Sequence, residues 1–413
     1  MRILILSQWF DPEPHFKGMA FARELVERGH QVQVLTGFPN YPGGKLYPGF
    51  RIRPFSRQQI DGVSVIRVAL FPSHDRSSLK RILTYLSFAL SAAIFGPFLV
   101  SKVDVAYVYH PPPTVGIAAI ILRFLRGFRF VYEIQDLWPD TLEATGMIRN
   151  KTALAVVGCW CSLVYRFASA IVVISPGFKE RLVAQGVPDE KVQVIYNWAP
   201  DEPSEGAVDN APLTKFSLPR NRFNVLYAGN IGLAQALDFI PAAAELLQRD
   251  APEVQLVFIG SGVAFDNLKD GVAARKLQNV LFMPRVSPAE ARRLQQQADA
   301  LLIHLRKDPL FTITIPSKTQ AYLAAGRPIL MGVEGDAAAL VARAKAGIPF
   351  EPENPESLAA AVAELLRLPA VEKDAMGNRG RMFYRSHLAR SIAVSEFESV
   401  FLEVARVSER QTN

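Results

Sequence analysis

The sequence is poor in the residues that would tie it to a disulfide, a metal or a dinucleotide. Two cysteines, Cys159 and Cys161, stand one residue apart in an apolar stretch. They are too few and too close for a disulfide framework or a zinc site, which points to a reducing, cytoplasmic setting. No Asp-x-Asp pair, histidine cluster or Cys–His spacing occurs, so no bound metal is expected. Neither half has a full Gly-x-Gly-x-x-Gly after a strand, which argues against a dinucleotide oxidoreductase. The opening MRILILSQWF has one charge, a short apolar run and no small-residue cleavage site, and reads as a buried strand rather than a signal peptide.

Acids are scarce in one region. From Gly37 to Tyr132 twelve Lys and Arg face three Asp, a net of nine positive charges in a chain whose whole net charge is +7. Within that block Ile82 to Ser101 has no charge over twenty residues, flanked by Lys80, Arg81 and Lys102. About 20 apolar residues can span a bilayer, but Thr84, Ser87, Ser91, Gly96 and Pro97 weaken such a span. A basic, apolar helix lying on an anionic membrane surface fits better; an internal helix under a basic face is the plain alternative.

What the chain does have is bulk and alternation. Its 413 residues, 49% hydrophobic and 21% charged, with mean hydropathy +0.12, suit two or three folded domains and exclude global disorder. Short apolar strands alternate with helical patterns, the mark of parallel sheets covered by helices. Strands are expected at Arg2 to Ser7, Gln31 to Thr36, Ser64 to Val68, Val103 to Tyr109, Arg129 to Ile134, Ala170 to Ile174 and Val192 to Ile195. Helix is expected at Gly18 to Arg28. After a proline-rich, aperiodic stretch, Asn197 to Arg222, the alternation resumes at Asn224. The fold class is α/β with two doubly wound Rossmann-like domains, residues 1–199 and 200–385. A helical tail, 386–413, would pack back on the first. Ligands of such sheets bind in the crevice at the carboxyl ends of the strands.

The loops at those ends carry the candidate chemistry. Trp9 to Gly18 (WFDPEPHFKG) leads into a helix whose first-turn N–H groups attract anions or hydroxyls. FPNYPGG, Phe38 to Gly44, suits a carbohydrate- or lipid-facing loop or a plain surface turn. YHPPP ends a strand at His110, which can bond a sugar hydroxyl, shuttle a proton or be structural. EIQDLWPD places Glu133, Asp136, Trp138 and Asp140 at the next strand end, where Asp140 can equally cap a helix. In the second half YAGNIG, with Gly229, Asn230 and Gly232, and the Gly260–Ser261–Gly262 turn suggest a nucleotide pressed on the backbone. TIPSKTQAYLAAGRPIL opens a helix at Pro316 and Ser317, with Lys318 and the upstream Arg306 and Lys307 placed to meet a diphosphate at the helix dipole. Such a site holds a leaving diphosphate without a metal.

Taken in order, GHQVQVLT, DLWPD, VISPGFKERL, VIYNWAP, YAGNIG, FIGSG and PSKTQAYLAAGRPIL resemble the family-4 glycosyltransferases of the GT-B fold over nearly the whole chain. Within them the chain looks most like the bacterial branch that adds fucosamine- or fucose-type sugars in O-antigen and colanic acid synthesis. The resemblance implies retention of anomeric configuration and a nucleotide-sugar donor, a UDP-sugar favoured, on the C-terminal half. It implies an acceptor sugar on a polyprenyl diphosphate, held by the N-terminal half at the inner face of the plasma membrane. The nucleotide-sugar is a co-substrate; no cofactor and no nucleic acid are implied. Lys318 would stabilise the leaving group, His110 and Asp136 would orient acceptor or sugar, and Glu133 stands in reserve. Phe16, Lys17, Gly18, Tyr41 and Trp138 would line the acceptor side.

The chain departs from the family pattern at several places. Where many relatives carry two glutamates eight positions apart, it has Ile313 and Ala321; where they carry an arginine and a lysine in the donor loop, it has Asn230 and Gln235. Gln135 replaces a histidine beside Asp136. Two other functions remain: a nucleotide-sugar 2-epimerase, which would need no lipid, and a non-catalytic nucleotide-sugar-binding component of a polysaccharide assembly complex, which the missing glutamates favour.

Overall fold

The computed structural model describes residues 1–15, 17–73, 78–199 and 216–409. Phe16, expected on the acceptor side, and residues 200–215 of the expected linker lie outside the described residues. The chain forms two compact units. One runs from Met1 to Tyr196 and takes in the C-terminal helix from Ser391; the other is Asn197–Arg390.

The first unit is built on β1 (Arg2–Leu6), β2 (Gln31–Gly37), β3 (Phe55–Ile60), β4 (Val63–Val68), β5 (Val105–His110), β6 (Arg129–Ile134), β7 (Ala170–Val173) and β8 (Val192–Val194). Their order in the sheet is β3-β4-β2-β1-β5-β6-β7-β8. All neighbours are parallel except β3 and β4. Ile3, Leu4 and Ile5 are fully buried, as expected of a parallel strand covered on both faces. β3 was not expected from the sequence. Its FSRQQI is mostly exposed, and it is an edge strand joined to β4 through Asp61 and Gly62, both at positive φ. That Asp-Gly turn is the hairpin signal that sequence reading passed over.

The expected uncharged helix spans Ser78–Leu99. It buries Phe88, Ala89, Ala92 and Ala93 and leaves Leu83, Leu86, Leu90, Ile94 and Phe98 exposed, a stripe at helical spacing. Gly96 permits close packing, since a Cβ there would stand 3.0 Å from Leu122 and 3.1 Å from Leu35. By length and composition Lys80–Leu99 could cross a membrane, with 33% of its apolar window buried. The basic block around it is partly structural. Arg57 bonds the Leu99 carbonyl, Arg126 Nη1 the Pro97 carbonyl at 2.7 Å, and Arg123 the Phe167 carbonyl. These cations sit at helix C-terminal ends, where the dipole favours them.

The C-terminal helix, Arg390–Glu409, completes the first unit. Its Glu398 accepts from Arg28 at 3.1 Å and lies 2.8 Å from His30 Nε2. Its Phe397 meets Phe21 and Tyr107 edge-on at ring-centroid distances of 5.4 and 5.5 Å.

The second unit has β9 (Phe223–Ala228), β10 (Val254–Ile259), β11 (Val280–Met283), β12 (Ala300–His304), β13 (Ile329–Gly332) and β14 (Gly347–Pro349). They form a parallel sheet in the order β11-β10-β9-β12-β13-β14. The boundary between the units, at Tyr196 and Asn197, lies a little before the expected residue 199. Ala199 N–H donates to the Tyr384 hydroxyl at 3.1 Å, which ties that short segment to the second unit.

Candidate functional site

Strand order reverses at β1 and β5 in the first sheet and at β9 and β12 in the second; ligands of open parallel sheets bind outside the carboxyl ends at such points. After β1, Asp11 folds back so that its Oδ2 accepts the Met19 N–H at 2.6 Å. Gly18 has no side chain because a Cβ would stand 2.2 Å from that oxygen. One N–H of the first helical turn is therefore capped by the chain itself rather than left for a ligand, as the sequence suggested.

Two loops are clamped together beside it. Glu13, 3% exposed, accepts N–H groups from Asn40 and Tyr41, both at 2.7 Å, and from Phe10 at 3.1 Å. Burial pushes its carboxyl up, and these bonds and Arg67 pull against that. Arg67 bonds the Gly37 carbonyl at 3.0 Å and the Asp11 carbonyl. The clamp sets Trp9 against Tyr41, centroids 4.8 Å apart, with Tyr85 of the apolar helix edge-on to Trp9 at 6.4 Å. His15 Nδ1 accepts the Lys17 N–H at 3.1 Å, so Nε2, 3.1 Å from Ser7 Oγ, carries the proton; burial holds this ring neutral, its pKa down at about 3.

Lys17 and Glu133, both expected on the acceptor side, are fully buried and paired with each other, Nζ to Oε1 3.6 Å. Glu133 also accepts from the Tyr107 hydroxyl and from Gln135 Nε2 at 2.8 Å. Lys17 lies over the Phe397 ring, 5.2 Å from its centroid. Burial lowers the lysine and raises the carboxyl, while each charge holds its partner ionised. The pair braces the loops from below.

His110 and Asp136 differ from that pair. His110 is 1% exposed and its Nδ1 has no hydrogen-bond partner among the described residues. Burial drops its pKa to about 3, so the ring is neutral. Trp138 meets it edge-on at 5.8 Å. Asp136 is half-buried and makes no ion pair among the described residues. Burial pushes its pKa up to about 6, and its charge raises the Tyr41 and Tyr109 hydroxyls, which places the three together. Asp140 pairs with Arg181.

In the second unit the glycine turns pack backbone on backbone. A Cβ on Gly260 would stand 1.9 Å from the Gly229 carbonyl oxygen, and one on Gly262 2.2 Å from that of Ile231. Ile231 N–H donates to the Ser261 carbonyl at 3.0 Å. Asn230 Nδ2 and Gly232 N–H both donate to Gln235 Oε1, at 3.1 and 3.0 Å. The amide thus closes the loop on itself.

Lys318 lies against this turn. A Cβ on Gly229 would stand 2.8 Å from its Nζ, which sits over the Tyr227 ring, 4.6 Å from the centroid. No carboxylate among the described residues pairs with it, and burial alone lowers its pKa to about 8. Pro316 is the N-cap of the helix Ser317–Ala325, and no side chain caps that end. Lys307 is drawn to Glu351 at 3.1 Å, whereas Arg306 is exposed. The structure thus gathers Gly229, Asn230, Gly232, Gly260, Ser261 and Lys318 around one turn.

Sequence reading passed over His304. It ends β12 as His110 ends β5, a positional signal present in the sequence. Its Nδ1 donates to the Gln235 carbonyl at 2.6 Å and its Nε2 accepts the Glu353 N–H at 2.8 Å. The Glu13–Arg67 clamp and the aromatic pairing of Trp9 were also missed, because they join residues distant in sequence.

Residues 19–198 match the family description "Glycosyl transferase 4-like domain" and residues 213–383 match "Glycosyl transferases group 1". The chain is 27% identical over 391 residues, 89% of its length and 93% of the other's, to WcaI of Escherichia coli (strain K12), a glycosyl transferase whose name assigns it provisionally to colanic acid biosynthesis. It is 24% identical over 331 residues, 78% of its length and 81% of the other's, to the glycosyltransferase WbjE of Pseudomonas aeruginosa. Among solved structures it resembles sucrose-phosphate synthase from Thermosynechococcus elongatus, with TM-score 0.70 and 15% identity over 98% of this chain and 99% of that one. It also resembles Anabaena HepE in complex with UDP and glucose, with TM-score 0.65 and 15% identity over 96% and 98%. With the two domain matches in sequence order over two doubly wound parallel sheets, the chain belongs to the family-4 glycosyltransferases and has their GT-B fold.

Proposed function

We propose that the protein is a retaining glycosyltransferase of bacterial surface-polysaccharide synthesis. It moves a sugar from a nucleotide-sugar, a UDP-sugar of the fucosamine type favoured, to a saccharide on a polyprenyl diphosphate at the cytoplasmic face of the membrane. The observation that carries the donor half is Lys318. A half-buried ammonium with no carboxylate partner among the described residues, lying against bare glycine backbone beside a helix start that no side chain caps, is a charge set in place for an anion. Arg306 and the backbone N–H groups of the helix start at Ser317 would add to it, whereas the Gly229 and Gly232 N–H groups are already given to the Ile259 carbonyl and Gln235 Oε1; Gly260, Ser261 and Asn230 would border the nucleotide. HepE binds UDP in a structure of like fold, which supports the same donor class here.

Acceptor binding falls to the first unit. Asp136 and His110 would orient the hydroxyl and the sugar, Tyr41 and Trp138 would offer aromatic faces, and Gly18, Lys17 and Glu133 would hold the loop beneath. The exposed stripe Leu83, Leu86, Leu90, Ile94 and Phe98, with Phe124 and Leu125 of the next helix also exposed, supports a lipid surface as partner. In a retaining transfer the departing diphosphate takes the acceptor proton on the same face, so the protein supplies charge and position more than a base.

The test is transfer by purified protein to a polyprenyl-diphosphate saccharide in detergent, with UDP-, GDP- and dTDP-sugars and mass spectrometry of the lipid. One donor should add its sugar mass. Lys318→Ala should lower kcat with that donor by about 10²–10³-fold, as removal of an oxyanion contact does. Wild-type turnover in that variant would remove Lys318 from the reaction; donor binding with no transfer would replace the enzyme by a binding component.

A further inference from the structure

The first sheet carries a polar residue at its switch point that neither the proposed reaction nor the fold has used. Past the end of β1 the pairing with β2 is interrupted: Ser7 N–H donates to the Leu35 carbonyl and Gly37 N–H to the Gln8 carbonyl, each at 3.2 Å, so Ser7 and Gln8 together stand opposite Thr36, as in a bulge. Leu6 pairs with Val108, and Gln8 and His110 each follow two residues further along these adjoining strands. Gln8 is 1% exposed, and neither its Oε1 nor its Nε2 has a hydrogen-bond partner among the described residues. His110 Nδ1 is in the same state, as is the hydroxyl of Tyr132, whose ring lies 5.7 Å from that of His110.

A buried polar atom without a partner costs about 1–3 kcal/mol, and native structures keep few of them. Two buried carboxylates of the same unit are fully served, Glu13 by three N–H donors and Glu133 by three side chains, while Arg67 Nε also lacks a partner among the described residues. The Gln8 and His110 orphans stand at the carboxyl ends of β1 and β5, where a doubly wound sheet binds its ligand, and point to a partner from outside the chain. An amide gives one donor and one acceptor from adjacent atoms, the complement of a sugar hydroxyl pair.

We propose that Gln8 is a specificity-determining residue of the transfer site, its side-chain amide reading hydroxyls of a sugar ring beside His110. The proposal rests on the glycosyl-transfer reading, and the ring can belong to the donor or to the acceptor. The chemistry is that of a neutral polyol. His110 carries no charge near neutral pH, so the pair offers hydrogen bonds but no positive charge, which suits a hydroxyl better than a phosphate.

The test uses the full chain with Gln8→Met and, as a second near-isosteric variant, Gln8→Leu. If the amide is unpaired without substrate, its loss should raise Tm, by about 2 °C. It should also lower kcat/KM about tenfold, the loss of one buried neutral hydrogen bond. A rise confined to the KM of the nucleotide-sugar assigns the ring to the donor; one confined to the lipid-linked acceptor assigns it there. A fall in Tm would mean that the amide already has an internal partner, and unchanged kcat/KM in both variants would mean that it reads nothing; either result overturns the proposal. Wild-type protein that transfers no sugar would count against the transferase reading instead. Gln8 is then judged by the Tm shifts that nucleotide-sugars and free saccharides give. A shift lost in Gln8→Met supports the role, and equal shifts in variant and wild type overturn it.

Discussion

His110 and His304 stand at corresponding places, each the last residue of the strand that adjoins the first strand of its sheet. Both are buried, and burial keeps both neutral, with pKa values near 3 and 4. Yet His304 spends both ring nitrogens on the chain, while His110 keeps Nδ1 unpaired. Position at a strand end thus does not make a histidine functional; what matters is whether the fold has used its nitrogens. The two switch points diverge accordingly. The first presents a neutral histidine beside the carboxyl of Asp136, the second bare backbone and an ammonium with no carboxylate partner among the described residues.

The sharpest way to break this comparison is the same substitution at both places. His304→Phe strands the Gln235 carbonyl and the Glu353 N–H, each at about 1–3 kcal/mol; Tm should fall by about 5 °C or more, with kcat nearly retained. His110→Phe removes an orphan, so Tm should hold or rise while kcat/KM falls tenfold or more, roughly one lost hydrogen bond to substrate. Thermal melts and steady-state kinetics on both variants check it. The reverse pattern would make His110 the brace and His304 the reader.

The contrast was only half legible in the sequence. Arg129 to Ile134 folds with the bounds that periodicity gives, because a buried strand is a local pattern. β3 escaped because its polar edge has no apolar alternation, although its Asp-Gly turn was readable. At the site, Lys318 was legible through a helix start that stays uncapped. The pairing of Lys17 with Glu133 was not, since these residues are distant in sequence and meet only when β6 and the β1 loop pack on one face. Nor could composition tell that Arg57, Arg123 and Arg126 of the basic block close helix ends.

A second, smaller effect separates the two switch points by pH. Asp136 has a folded pKa near 6, above its ordinary value, so the carboxylate form is the one the fold disfavours. Between about pH 4 and 6 the folded state binds the extra proton, and stability falls as pH rises. Lys318, lowered to about 8, works at the other end: between about pH 8 and 10.5 the unfolded chain binds the extra proton, and stability rises with pH. If the reaction needs a carboxylate at Asp136 and an ammonium at Lys318, kcat/KM should be bell-shaped with limbs near 6 and 8. Asp136→Asn should lose the acid limb and melt higher than wild type at pH 7.5 but not at pH 4. The alkaline limb of kcat should lie above that of kcat/KM, because a bound diphosphate holds the lysine proton. An acid limb that survives Asp136→Asn, or an alkaline limb that survives Lys318→Ala, would detach that group from turnover.

The smallest effect concerns the two exposed cations after β12. Lys307 is drawn to Glu351 and its ammonium is thereby favoured, but both side chains are more than half exposed, and surface pairs of this kind contribute little to stability. The pair matters instead as a competitor for the donor diphosphate. Arg306, exposed and with no carboxylate partner among the described residues, should contribute more: Arg306→Ala should raise the donor KM by about fivefold at low salt and Lys307→Ala by about twofold, both effects shrinking toward 0.5 M salt as screening shortens to a few ångströms. Glu351→Gln is the informative third variant. It removes the competitor, so the donor KM should drop below that of wild type, and adding Lys307→Ala to it should cost more than Lys307→Ala costs alone. Equal costs in the two backgrounds would mean that Lys307 never turns toward the nucleotide, leaving Lys318 and Arg306 as the charges that distinguish the second switch point from the first.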